Sequence, residues 1–167
     1  MPFRGAAFDL VVAAFVVNHL ADPVAGLSEL RRVTRPGGVV LVSVFSDQRA
    51  AAKNTVDQVA EAHGFVRPGW YDDLQRHAHA VGTTDALARA LTAAGLTDAV
   101  VTEEAVDVGP FSPEEVVRYR LGMPHLHAFA ASLTDPERAA FVAEAVAAVG
   151  ELGGTFAPEV LEVVAVR

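Results

Sequence analysis

Residues 8–46 read FDLVVAAFVVNHLADPVAGLSELRRVTRPGGVVLVSVFS, and this stretch decides the fold. Phe8 and Leu10 to Val17 form an almost unbroken apolar run. A strand covered on one face alternates apolar with polar residues, whereas one covered on both faces is apolar throughout. The run Val39 to Phe45, broken only by Ser43, has the same character. Between the two runs, Asp22 is placed to cap a helix that opens with Pro23. Val24, Leu27, Leu30 and Val33 recur every three residues along one face of that helix. Arg31, Arg32 and Arg35 sit near its C-terminal end, where cations favour the helix dipole, and Pro36 with Gly37-Gly38 is expected to stop it. The pattern is strand–helix–strand, so the two strands are expected to be parallel neighbours.

The same residues carry a family likeness. MPF at 1–3, AFDLVV at 7–12, the NHL–ADP segment at 18–23, ELRRVTRPGG at 29–38 and VVLVSVF at 39–45 resemble the second half of a class I S-adenosylmethionine-dependent methyltransferase. The resemblance implies an α/β fold, a partial Rossmann-like methyltransferase sheet with equivalents of strands 4 to 7 and flanking helices. A helical insertion over 110–155 would precede the last strand, all within a single domain spanning 1–167. The family's glycine-rich cofactor loop and its acidic contacts to ribose and adenine have no counterpart in this sequence.

Composition bounds the function classes. A chain of 167 residues with 51% hydrophobic residues suits one globular domain. A net charge of −8 argues against a nucleic-acid partner, which needs a basic surface. No basic amphipathic stretch, signal-peptide pattern or membrane-length apolar run is evident, so the expected compartment is the cytoplasm. The absence of cysteine excludes disulfides, thiolate catalysis and zinc–thiolate sites. The heavy use of Ala, Val and Arg suggests a GC-rich bacterial origin.

Beyond Ser46 the pattern changes. Arg49 to His63 reads as a helix, and Gly64 to Asp73 as a turn-rich loop holding Trp70 and Tyr71. Thr84 is placed to cap a further helix that Gly95 stops. A strand of mixed character follows, with Val100, Thr102, Glu104, Val106 and Val108 on one side, which places it near a sheet edge. Ser112-Pro113-Glu114-Glu115 and Thr134-Asp135-Pro136-Glu137 each open a helix, the first a capping box and the first helix closed by Gly122 and Pro124. Glu159 to Arg167 is the terminal strand.

Ligands of open α/β sheets bind outside the carboxyl ends of the strands, which draws attention to Phe15 to Leu20. Asn18 either caps a turn or faces substrate. His19 either packs on the next helix or serves as a substrate-orienting residue or general base, since imidazole titrates near neutrality. Phe3 is a core plug or part of a cofactor wall, and Trp70-Tyr71 a packed lid or a substrate wall. Asp9 is expected to be a turn residue bonding nearby backbone N–H groups. His77/His79 and His125/His127 are spaced i, i+2, which brings side chains together only on a strand, so no metal site is assigned. Glycine pairs at 37–38 and 153–154 are turns and not phosphate cradles.

The resemblance implies S-adenosylmethionine as cofactor, with Phe3 near its adenine end and Phe15 beside its methionine part. His19, Asn18, Trp70 and Tyr71 would face a small-molecule acceptor. Without the glycine loop, cofactor binding by this chain is expected to be weak or absent. Two other readings stand beside the enzyme: a non-catalytic relic or dimerising partner module, and a methyltransferase-like cyclase or lyase that does not use the cofactor. The edge of the strand Leu10–Val17 would lack a neighbour, so a second copy or a missing N-terminal half is expected to cover it.

Overall fold

The computed structural model describes residues 1–47, 51–106, 108, 111–153 and 158–167. Arg49, at the start of the expected second helix, and Gly154 lie outside the described residues. The chain divides into two compact units, Met1–Gln48 with Asp73–Val106 and Glu159–Arg167, and Arg49–Asp72 with Asp107–Pro158.

The first unit contains the sheet. Strand β1 (Phe8–Ala14) leads through a 3-10 turn (Val17–His19) into helix α1 (Pro23–Val33) and strand β2 (Thr34–Phe45). The sheet is completed by β3 (Val100–Ala105) and β4 (Glu159–Val166) in the order β1-β2-β4-β3. β1 and β2 are parallel, as the strand–helix–strand pattern requires, while β4 lies antiparallel between β2 and β3. The mixed strand around Val100 is therefore an edge strand, as its polar content implied.

Local chemistry explains the helices. Asp22 accepts a hydrogen bond from the N–H of Ala25 at 2.8 Å, with Pro23 in the first turn, the arrangement read from the sequence. The helix ends earlier than expected. Thr34 turns extended and its hydroxyl donates to the Leu30 carbonyl at 2.8 Å, so Arg35 and Pro36 already belong to β2. Arg35 there pairs with Asp9, which is a strand residue and not a turn former. Gly37, at φ +75, and Gly38 lie inside β2 beside its register shift against β1, so the glycine pair is an irregularity of the strand and not the turn that stops the helix. At the chain start, the Met1 ammonium and Arg32 both bond Glu29, and Arg32 also donates to the Phe3 carbonyl at 2.9 Å. The hydrogen bond from Arg32 and that from the amino terminus hold the Glu29 carboxyl down to about 2. In the same unit, helix α4 (Thr84–Ala93) is capped by Thr83 rather than Thr84, and Gly95 at φ +81 follows its end.

One face of this sheet is packed and the other is not. Val40, Val42, Val44, Leu161, Val163 and Ala165 are buried with Leu27, Leu87 and Leu91 of α1 and α4. On the opposite face, Val12, Leu41, Val164 and Val100 stand in one row across all four strands. Val12, Val164 and Val100 there are 58%, 52% and 61% exposed. Among the described residues the expectation that β1 is covered on both faces therefore fails: only Ala13 of β1 is buried, and β2 is its one neighbour in the sheet. β1 also ends at Ala14, not Val17, because Phe15 leaves the extended region at φ 53.

The second unit is helical. It contains α2 (Ala51–Ala62), the opening residues of α3 (Gly69–His79), α5 (Pro113–Leu121), α6 (Pro124–Ser132) and α7 (Asp135–Glu151). The capping box at Ser112/Glu115 forms as read, and Thr134 with Glu137 forms a second one. Pro124 does not merely end α5. It starts α6, whose high content of Ala and aromatic residues gave no clear stripe in the sequence. Phe141, Ala145, Leu126, Val56 and Ala60 form a closed core with no measurable exposure.

Candidate active site

Phe15 to His19 follow the carboxyl end of β1. Phe15 continues the pairing by donating its N–H to the Ser43 carbonyl at 2.8 Å, then turns into the left-handed region. A non-glycine residue in that region is uncommon, and such strained residues cluster at functional sites. Its ring is 39% exposed and stacks on Phe45 at the end of β2, with centroids 4.5 Å apart and planes at 26°. The turn that follows is closed by the His19 N–H to the Val16 carbonyl at 3.0 Å and the Leu20 N–H to the Val17 carbonyl at 3.2 Å.

Within this turn Asn18 and His19 separate. Asn18 is 6% exposed, and its Oδ1 is a buried acceptor without a partner. Orphaned buried acceptors are rare, because desolvating one costs about 1–3 kcal/mol. A ligand donor would satisfy it. His19, by contrast, stands exposed at the mouth of the turn. Phe3 is 50% exposed and packs edge-on against Phe8 at 5.2 Å, so it is a surface aromatic on the outer side of β1 rather than a core plug.

Past Phe45 the carboxyl end of β2 carries a polar group that the sequence reading passed over. The Ser46 hydroxyl donates to Glu103 Oε1 at 2.5 Å, and Asp47 Oδ2 lies 2.8 Å from His79 Nδ1. The signal was available, since the rule that singled out Phe15 to Leu20 applies equally to the residues after the second parallel strand.

The second unit holds a different polar cluster. Trp70 and Tyr71 are not in a loop but in the first turn of α3, because Gly69 and the Pro68 carbonyl already begin the helix: the Tyr71 N–H donates to Pro68 at 2.9 Å. Trp70 is 51% exposed, whereas Tyr71 is buried and lies flat on the His125 ring at 3.8 Å and 5°. Arg120, 6% exposed, reaches Asp57 Oδ1 and Oδ2 at 2.6 and 2.7 Å and donates to the Tyr71 hydroxyl at 3.1 Å. His125 Nε2 lies 3.0 Å from Arg120 Nη2 and 3.6 Å from Asp57, so the guanidinium is its hydrogen-bond partner. Burial pushes the Asp57 carboxyl up, but the His125 and Arg120 side chains beside it pull it further down, below the ordinary carboxylate range. Burial, and then the Arg120 charge, depress the nearby Lys53 ammonium. Tyr71 is thus committed to a buried ion-pair network, and Trp70 alone presents an open aromatic surface. Among the described residues no group of three His, Asp or Glu side chains is placed to hold a metal.

With this geometry in place, comparison with known proteins identifies the segment around it. Residues 1–42 match a family described as "Methyltransferase domain". Over this segment the chain is similar to S-adenosylmethionine-dependent methyltransferases. A demethylmenaquinone methyltransferase from Beutenbergia cavernae is 48% identical over 46 residues, 28% of this chain and 19% of that relative. One from Mycolicibacterium gilvum is 34% identical over 106 residues, 59% of this chain and 46% of the relative. The chain thus spans less than half the length of either relative. Among solved structures, the YcgJ protein of Bacillus subtilis superposes with a TM-score of 0.52 at 10% identity, over 100% of this chain and 67% of that one, and shares its α/β fold.

Residues 15–19 fit the cofactor of this family in part. A half-exposed aromatic stack and one unsatisfied buried acceptor suit a ligand with an apolar body and N–H or O–H donors. The glycine loop and acidic ribose contact, which hold the rest of such a ligand in the family, are not among these residues.

Proposed function

We propose that the chain is the C-terminal portion of an S-adenosylmethionine-dependent methyltransferase acting on a small molecule. The observation that carries this reading is the turn after β1, where a left-handed Phe15 stacks on Phe45 beside the orphaned Asn18 Oδ1. When bound, the cofactor supplies a methyl group on a positively charged sulfur. The chain's own residues do the positioning, which is the larger part of catalysis for such a transfer. Phe15 walls the methionine side and Phe3 lies towards the adenine end, while Asn18 and His19 face the acceptor. The relatives are named as demethylmenaquinone methyltransferases, which favours a hydroxylated or quinonoid aromatic as acceptor class. We place the protein in the bacterial cytoplasm, and among the described residues no helix is long and apolar enough to cross a membrane.

The open edge of β1 and the exposed row Val12, Val164 and Val100 favour a partner as well. Unpaired strand edges and apolar patches of a few hundred Å² mark interfaces. A second copy of the chain is the simplest cover, and a separate N-terminal half is the other outcome that a sizing experiment distinguishes.

Calorimetric titration with S-adenosylmethionine tests the reading. Saturable binding weaker than about 10 µM, or about −7 kcal/mol, is expected, with a further loss in Phe15→Ala. Tighter binding contradicts the incomplete pocket, and no saturable heat at millimolar cofactor contradicts a cofactor site on this chain.

A further inference from the structure

We infer that His79, held by Asp47, takes the proton from a hydroxyl-bearing acceptor bound at the carboxyl end of β2. This deepens the methyltransferase reading and rests on it. Asp47 follows the last residue of β2 by two positions, on the side of the sheet where ligands of open α/β folds bind.

The carboxylate is fixed by two contacts that do not involve the histidine. The Asp47 N–H donates to the Gly82 carbonyl at 2.8 Å. The Asp47 side chain also lies directly over Gly82, so close that a Cβ built there would sit 2.3 Å from Asp47 Cγ. Position 82 thus admits the carboxylate only because it is glycine. Asp47 in turn accepts from His79 Nδ1 at 2.8 Å. A carboxylate accepts and never donates, so Nδ1 carries the ring proton and the lone pair of the neutral imidazole is on Nε2. The His79 side chain is 63% exposed, which leaves that nitrogen open to a ligand. His79 is also the last residue of α3.

On α3 itself, Asp73 is paired with Arg76, and His77 is two residues away. On β3, Glu103 is held by the Ser46 hydroxyl. His19 has no carboxylate partner of this kind among the described residues, so the two histidines differ in the feature that orients a base.

The step balances without a further reactant. The acceptor O–H bond breaks, its electron pair stays on oxygen as the nucleophile, and a new N–H bond forms at Nε2. Asp47 stabilises the resulting imidazolium, which returns the proton to solvent through its exposed edge. Asp47 is therefore a positioning residue and His79 the proton acceptor.

The arrangement is testable on the 167-residue chain without methyl transfer. Long-range 1H–15N spectra at about pH 8 are expected to show neutral His79 protonated on Nδ1, the less common tautomer, and Asp47→Ala to move the proton to Nε2. Titration with phenol, which keeps its O–H at this pH, should shift His79 Nε2 saturably, and Asp47→Ala should weaken this response about tenfold. Asp47→Asn, which can still accept but has no charge, keeps the tautomer and weakens the phenol response. It replaces the alanine variant if that variant does not fold. His77→Ala changes neither readout. An Nε2–H tautomer in the unaltered chain, or no saturable response to the phenol, overturns the inference. Failure of S-adenosylmethionine to bind would instead strike the methyltransferase reading and leave the tautomer result standing.

Discussion

The two units of this chain solve the same problem in opposite ways. The helical unit closes its core on itself: Phe141, Leu126 and Val56 have no exposure, and its buried charges neutralise one another. The sheet unit buries one face equally well under α1 and α4 but leaves the other open, with an apolar row running across all four strands. The helical unit is complete in its apolar packing. The sheet unit, which carries the matched segment, leaves Val12, Val164 and Val100 exposed on its second face.

The largest expected effect lies in the helical unit. Asp57→Ala leaves the Arg120 guanidinium buried and unpaired, and should destabilise that unit by about 3–5 kcal/mol in denaturant unfolding. Replacing the pair together, Asp57→Leu with Arg120→Met, should recover most of that loss, since removing both charges ends the desolvation cost. The same pair sets an acid limit. The folded-state pKa of Asp57 is lowered, so its stabilisation is complete above the unfolded value and is lost as pH falls through the folded one. Melting temperatures should therefore decline below about pH 4 and decline less steeply in the apolar double variant.

Smaller effects probe the sheet unit. Leu27→Ala, at a site with no exposure, should cost about 2–5 kcal/mol, which shows that its covered face is packed as firmly as the helical core. Asp22→Ala removes the α1 cap and should cost about 1 kcal/mol. Val12→Lys on the open face should change the folding free energy of the isolated chain by no more than about 0.5 kcal/mol. Its effect belongs to association, where a charge in the apolar row should dissociate the assembly. A loss of several kcal/mol at Val12 in dilute monomer would erase the difference between the two faces.

Much of this was legible in residues 8–46. Continuous apolar runs, an Asp-Pro helix start and a glycine pair specify strand, helix and parallel strand almost by themselves. What the pattern misread follows from packing. A continuous apolar strand states that both faces are to be covered, but not that the cover comes from this chain, and Val12 shows the difference. Helix ends shifted where a side chain intervened, as when Thr34 bonded Leu30 and released Arg35 into β2. Position at a strand end singles out Phe15, Asn18 and His19 as candidates. Phe45 and Asp47 sit at the matching end of β2. His79 could not be found this way, because its value lies in a contact with Asp47 across 32 residues. The buried network of Asp57, Tyr71, Arg120 and His125 was hidden for the same reason: four residues from four helices share no sequence pattern.

If the open edge and face of the sheet unit belong to an interface, multi-angle light scattering at micromolar concentration will find more than one chain per particle. The account predicts a dimer or larger species that Val12→Lys dissociates or drives to aggregate. A monodisperse monomer, unchanged by that substitution, would contradict it.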